Sequence, residues 1–265
     1  MPKPYEIMGI LNANDDSFYS GSRFDEADAV KKIEQMIEDG ADIIDIGAVS
    51  SRPGSKNVAE KDELLRLKPI LDIIYEQRLY EKVSFSLDSY APLPISYALE
   101  RGFGIINDIT GLDNNLVCKL VGEYKAKAII MHMQGNPQSM QDNPMYDNLL
   151  QEVECFFKER IQKAQSFNIK DLALDMGIGF GKTLEHNLEL IQNLSHFKVL
   201  GKELLIGVSR KSMINAISPS SPADRLPGTL AIHLKAFDNG ARIIRTHDVK
   251  EHIQAFKVHL ALCKT

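Results

Sequence analysis

Short runs of Ile, Val and Leu recur along this chain, and almost every one ends on a polar residue. The runs at 5–12, 42–47, 83–88, 104–108, 127–132, 171–175, 203–209 and 242–246 are apolar and mostly unalternating, as strands buried on both faces of a sheet should be. Between them, apolar residues fall at helical spacing. Residues 25–39 carry Ala29, Ile33, Met36 and Ile37, and 60–77 carry Leu64, Leu67, Ile70, Leu71 and Ile74. Further helices are expected over 92–101, 115–124, 147–167, 184–194, 222–239 and 249–262. Gly40, Gly102 and Gly240 each fall at a helix end just before a strand. Their junctions read alike: Gly40-Ala41-Asp42-Ile43-Ile44, Gly102-Phe103-Gly104-Ile105-Ile106 and Gly240-Ala241-Arg242-Ile243-Ile244. Eight strands alternating with eight helices predict a closed α/β structure, a (β/α)8 TIM barrel forming a single domain over 1–265. The rival is an open doubly wound sheet, but its Gly-x-Gly-x-x-Gly fingerprint is absent after the first strand.

Composition narrows the class without naming a chemistry. The chain has 265 residues, 44% hydrophobic and 25% charged, as a soluble globular protein should. A net charge of -5 argues against a dedicated nucleic-acid binder, yet a local cationic site fits within it. There is no N-terminal targeting pattern and no apolar run of roughly 18 residues, so a cytoplasmic protein without membrane association is expected. Cys118, Cys155 and Cys263 stand far apart, lack ligand spacing and read as small buried or half-buried thiols in a reducing compartment.

In a barrel of this kind, chemistry collects where the strands end. The long segments 12–24, 48–59 and 133–146 all leave strand C-termini and would cover that face. Asn12 opens an Asx-rich turn, and its carbonyl oxygen also suits Mg²⁺, which keeps several waters. Arg52, beside Ser50, Ser51, Pro53 and Gly54, offers a planar fork for phosphate oxygens. Asp88, Asn107, Asp108 and Asp175 end strands. One such Asp is often a helix cap, but a ring of them repels itself unless a ligand, metal or cation supplies donors. Gly177-Ile178-Gly179-Phe180-Gly181-Lys182 has the wrong spacing for Walker A and reads as a tight turn allowing close approach. Ser209-Arg210-Lys211-Ser212 and Arg245-Thr246-His247-Asp248 follow the last two strands, a common place for phosphate, with Lys211, Arg245 and His247 supplying charge. His132 has a weaker claim, and His186, His196, His233, His252 and His259 read as structural.

These segments, together with Met8-Gly9-Ile10-Leu11-Asn12, Asp16-Ser17-Phe18, Asp42-Ile43-Ile44-Asp45-Ile46-Gly47 and Met131-His132-Met133-Gln134-Gly135, resemble the pterin-binding barrel family over nearly the whole chain. The resemblance implies a transferase of folate biosynthesis. It would condense (7,8-dihydropterin-6-yl)methyl diphosphate with 4-aminobenzoate to 7,8-dihydropteroate and diphosphate. By the same resemblance Asp88, Asn107, Asp175, Lys211 and Arg245 would line the pterin pocket, with Asp88, Lys211 and Arg245 catalytic. Asn12, Arg52, Arg245 and His247 would hold the diphosphate, with Mg²⁺ at Asn12. Ser51, Pro53, Phe180, Lys211 and Ser212 would hold 4-aminobenzoate. A homodimer is also implied, and Phe237, Phe256 and Leu260 in the last helices supply either its apolar surface or ordinary barrel packing. The chain departs from the family pattern at Asn14-Asp15, Ser20-Gly21-Ser22, Ala48-Val49-Ser50-Ser51 and Met176. Three alternatives stay open: a methyltetrahydrofolate methyltransferase, a non-catalytic pterin binder and an unrelated phosphosugar barrel enzyme.

Overall fold

The structure, a computed structural model, describes residues 3–13, 26–50 and 58–263. Strands β1 (Glu6–Asn12), β2 (Ile43–Gly47), β3 (Ser84–Asp88), β4 (Ile105–Asp108), β5 (Lys127–Met131), β6 (Leu172–Asp175), β7 (Glu203–Ile206) and β8 (Ile243–Thr246) pair in chain order, and β8 returns to β1 to close the barrel. All of these pairings are parallel. Helices α1 (Glu26–Asp39), α2 (Glu60–Glu76), α3 (Pro92–Leu99), α4 (Asn115–Tyr124), α5 (Leu149–Ser166), α6 (Leu184–Gln192), α7 (Ser212–Ile217), α8 (Leu226–Asp238) and α9 (Val249–Leu262) lie between and after them. The short α7, immediately after the Arg-Lys pair, was not expected from the sequence, because six residues carry too little periodicity. The helix expected over 222–239 divides into a 3-10 turn, Pro222–Arg225, and α8.

The repeated Gly junctions have one physical cause. Gly40, Gly102 and Gly240 take φ of 97°, 85° and 115°. At each, the glycine N–H bonds the carbonyl three residues back and the next N–H reaches five back: Gly40 to Ile37 and Ala41 to Met36, Gly102 to Leu99 and Phe103 to Ala98, Gly240 to Phe237 and Ala241 to Ala236. This left-handed cap satisfies the last helical carbonyls and turns the chain into the next strand. The sequence echo is therefore one cap used three times.

Two cores result. Outward strand residues meet the helices in a large shell that includes Ile44, Ile46, Leu87, Ile106, Leu174 and Ile244. Inward residues Met8, Ile43, Ile105, Ile129, Ala173, Leu205 and Ile243 plug the barrel floor. Strand side chains alternate, so the residue two positions on faces inward again, one layer nearer the C-terminal mouth. That step lands on Asp45, Asn107, Asp175 and Arg245. The site is thus the second storey of a packed barrel.

Phe256 is fully buried and packs at 4.7 Å on Tyr5 and 5.3 Å on Phe237, while Phe237 and Leu260 are half-buried against the same core. Barrel packing accounts for all three residues. On α9 the exposed large apolar side chains are Val258 and Leu262. Cys118 is buried, but Cys155 and Cys263 are exposed, which corrects their reading as buried or half-buried thiols. No described helix is long and apolar enough to cross a membrane.

Candidate active site

Arg245 organises the second storey. Its Nε donates to Asp45 Oδ2 at 2.7 Å and its terminal nitrogen to Asp88 Oδ2 at 2.7 Å. Asn107 Nδ2 also donates to Asp45 Oδ2, at 3.0 Å. One guanidinium thereby links β8 to β2 and β3, and Asp45 extends the link to β4. Burial works against the charge on Arg245, but Asp45 and Asp88 outweigh it and hold its pKa above the ordinary value. Burial raises Asp88 to about 7; Arg245 opposes the rise, and the negative field of Asp45 and Glu63 adds to it. Gly47 leaves the space for Asp88, since a Cβ there would stand 3.1 Å from Asp88 Cβ.

Asp45 is fully buried, yet its Oδ1 has no hydrogen-bond partner among the described residues. A buried carboxylate oxygen without a donor is costly, so Asp45 Oδ1 is an unmet acceptor within the second storey. Sequence reasoning placed Asp45 in a strand but gave it no role. The signal was available: Ile43, Asp45 and Gly47 share one strand face, and a charge on the inward face of a barrel strand needs a partner.

On the opposite wall, Asp175 accepts the backbone N–H of Gly177 at 2.8 Å. Burial raises its pKa, and Lys211, the Gly177 N–H and Arg245 oppose that rise. Gly177 has φ 62°, and a Cβ there would lie 1.9 Å from the carbonyl oxygen of His132. Only glycine lets the β5 and β6 loops meet so closely. Lys211, which precedes α7, donates to the carbonyl of Ile178, and its Nζ stands 4.6 Å from the centre of the Phe180 ring. Burial lowers Lys211 to about 8, against the pull of Asp175.

Lys182 is buried and belongs to the loop scaffold, a part sequence reasoning also missed. Its Nζ lies 2.9 Å from His132 Nδ1, 3.2 Å from His132 O, 3.1 Å from Gly177 O and 2.9 Å from Phe180 O. Three ammonium protons serve four acceptors, one of them shared. Burial, and then the Lys182 charge, lower His132 to about 2. His132 is therefore neutral and structural, a loop anchor rather than a base.

At the β7 and β8 ends, Ser209 Oγ accepts the His247 backbone N–H at 3.2 Å and lies 2.9 Å from His247 Nδ1. With that N–H accepted, the hydroxyl proton suits Nδ1, so Ser209 orients the His247 ring at the end of β8. Arg210, in the same loop as Lys211, has another task. It forms a two-pronged pair with Asp248 at 3.0 and 2.5 Å, and its carbonyl accepts from Arg225 at 3.0 Å. Beneath it, Val208 N–H donates to His233 Nε2 at 3.1 Å, His233 Nδ1 meets His252 Nε2 at 2.8 Å, and His252 Nδ1 meets Asp248 O at 2.6 Å. The backbone termini fix each proton: His252 donates to Asp248 O, and His233 donates to His252. This neutral two-histidine brace joins the loops that carry Lys211 and His247.

Asp108 leaves the ring of strand-end carboxylates. It points away from the mouth and caps Thr110 N–H at 2.7 Å and Leu112 N–H at 3.2 Å, although burial still raises it to about 6. Asn12 ends β1, partly exposed beside Gly47. Ser212 begins α7 and is exposed. Arg52, Ser51 and Pro53 lie outside the described residues, as do the altered positions 14, 15, 20–22 and 51. Met176 is fully buried in the helix-side core.

The family described as "Pterin binding enzyme" matches residues 8–247. A bifunctional dihydropteroate synthase/dihydropteroate reductase of Helicobacter pylori is 45% identical, the match covering 100% of this chain and 70% of that protein. The dihydropteroate synthase of Escherichia coli is 42% identical over 95% of this chain and 89% of its own. Among solved structures, Xanthomonas albilineans dihydropteroate synthase with 4-aminobenzoic acid superposes with a TM-score of 0.90 at 33% identity, covering 98% of this chain and 94% of that one.

Proposed function

The chain belongs to the family of pterin-binding enzymes, and from that premise we propose which of its side chains carry out its activity, dihydropteroate synthesis. The reaction joins the methylene of (7,8-dihydropterin-6-yl)methyl diphosphate to the amine of 4-aminobenzoate and releases diphosphate. The single observation that supports the assignment is the gathering of buried acceptors and cations at one end of the barrel, Asp88, Asn107 and Arg245 on one side and Asp175 and Lys211 on the other. The 2-amino-4-oxo edge of a pterin carries adjacent N–H donors, and a phosphosugar has no such edge.

In this reading Asp175 accepts the paired N–H groups of the pterin edge, and Lys211 donates to its ring carbonyl and a ring nitrogen. Asn107 gives one amide proton to Asp45, and its own carbonyl oxygen remains an acceptor for the ring. Arg245, held flat by two carboxylates, stacks its guanidinium on the pterin face. A wrong ring would leave several of these buried groups unpaired, which gives strong discrimination.

His247, Arg245 and Arg52 bind the diphosphate. Asn12 offers one hard, partly exposed oxygen, a donor set suited to a Mg²⁺ that keeps waters and arrives with the diphosphate. When bound there, the ion would neutralise charge building on the leaving group. The C–O bond breaks with its electron pair leaving on diphosphate, and the electron-rich pterin spreads the positive charge at its methylene. Asp88, once ionised, stabilises that charge. The amine lone pair of 4-aminobenzoate then forms the C–N bond, and its surplus proton goes to the departing diphosphate. No protein nucleophile is needed. Phe180, Lys211 and Ser212, with Ser51 and Pro53, hold the aminobenzoate. A cytoplasmic homodimer completes the proposal; exposed Val258 and Leu262, one turn apart on α9, support the dimer.

A coupled assay with pterin diphosphate, 4-aminobenzoate and Mg²⁺ tests the assignment. Asp175→Ala and Lys211→Ala should each lower kcat/KM by about 100-fold or more, in line with a lost charged hydrogen bond of about 1.5–3 kcal/mol plus a mispositioned ring. Unchanged rates would remove the pterin-site assignment.

A further inference from the structure

Far from the barrel mouth in function, the ends of α8 and α9 bring together three different metal-ligating side chains. Asp238 is the last residue of α8; His259 lies in the last turn of α9, and Cys263 follows as its C-cap. The carboxylate oxygen, imidazole nitrogen and thiol sulfur all lie within 4.8 Å of one another. His259 and Cys263 are four residues apart, a spacing that stacks them on one helix face. Sequence spacing alone does not reveal the cluster, because Asp238 comes from a different helix.

The convergence is specific in one respect. The same ring nitrogen, His259 Nε2, stands 2.6 Å from Asp238 Oδ1 and 3.7 Å from Cys263 Sγ. As an N–H it can satisfy only one of them well. As a bare lone pair it joins an oxygen and a sulfur around a single point. In a tetrahedral zinc site, with bonds of about 2.0–2.3 Å, neighbouring donors stand about 3.3–3.6 Å apart. The His–Cys separation is already close to this, and the His–Asp pair has to open by less than about 1 Å. An edge contact with Phe237 at 5.9 Å holds the imidazole in place. Electrostatics favour the same conclusion. A carboxylate ending a helix opposes the partial negative charge of that terminus, and here two helix C-termini meet. A divalent cation would offset both.

We propose that Asp238, His259 and Cys263 form a binding site for a thiophilic divalent metal of the Zn²⁺ class, with water as the fourth ligand, which staples α8 to α9. Thiolate and imidazole donors disfavour Mg²⁺, so this site is chemically distinct from any magnesium at Asn12.

Cobalt(II) is the probe, titrated into the full-length, metal-stripped protein. The site predicts a thiolate-to-cobalt charge-transfer band and tetrahedral d–d absorption saturating at one equivalent, both displaced by Zn²⁺. Cys263→Ser should abolish the charge-transfer band, while Cys155→Ser should leave it intact. Asp238→Asn should weaken cobalt binding by at least about tenfold. Asp238 and Cys263 are exposed, His259 is half-buried and all three lie outside the catalytic machinery, so dihydropteroate synthesis should be unchanged in these variants. Absence of the band in the parent, or its survival in Cys263→Ser, would overturn the proposal whatever the fate of the pterin site.

Discussion

Asp88 and Lys211 carry opposite charges in the same enclosed mouth, and burial moves their pKa values toward each other, to about 7 and about 8. The proposed chemistry needs Asp88 ionised to stabilise the methylene cation and Lys211 protonated to donate to the ring. The acid limb of kcat/KM should therefore rise through about 7 and the alkaline limb fall above about 8, giving a narrow bell. Asp88→Asn should lower the rate and remove the acid limb, because no carboxyl remains to ionise there. A parent profile flat from pH 6 to 9 would refute these roles. The same scale shows what the sequence hid. Asp175, Lys211 and Arg245 were legible because polar residues that end apolar runs stand out. Asp45 was not, because it sits inside Ile43-Ile44-Asp45-Ile46 and its importance depends on which way the strand faces. Asp108 misled for the complementary reason: it ends a strand too, but it caps a turn.

Elements hold these side chains in register through their connections. The β7 and β8 loops are tied by the His233–His252 brace, whose ends are backbone groups of Val208 and Asp248. Neither histidine drew a functional reading, and each does look structural alone. Their importance lies in joining two loops, a contact no local spacing announces. Burial lowers both pKa values, and the neighbouring histidine lowers His233 further. A depressed histidine contributes stability that is present above its unfolded pKa and lost as pH falls, because the unfolded chain takes up the proton first. His252→Leu should thus cost about 2 kcal/mol at pH 8 by urea denaturation, leaving the buried His233 Nδ1 proton unpaired while the Asp248 carbonyl keeps the residue-252 backbone N–H. The difference from the parent should shrink below about pH 6.5, by up to about 1.4 kcal/mol per pH unit. The raised carboxylates Asp88 and Asp108 act in the opposite direction but are common to both proteins and cancel. A difference that grows on acidification would show that the brace is not neutral.

At the level of the whole molecule, the eight strands and their order were readable from apolar runs and glycine stops, because a parallel barrel buries each strand on both faces and caps each helix alike. Boundaries shifted by only a residue or two at most strands. Closure itself, the pairing of β8 with β1, follows only from having all eight strands at once. It matters most for function, because it brings Arg245 against Asp45 and Asp88 across 200 and 157 positions of chain. A crystal structure of the protein soaked with a pterin bearing an acidic 6-substituent would test that convergence most directly. The pterin edge is predicted to lie within hydrogen-bond distance of Asp175 and Lys211, its face on Arg245, and a ring or bridging-water donor on Asp45 Oδ1. A pterin bound elsewhere, or one in the mouth that leaves Asp175 and Asp45 Oδ1 untouched, would contradict it.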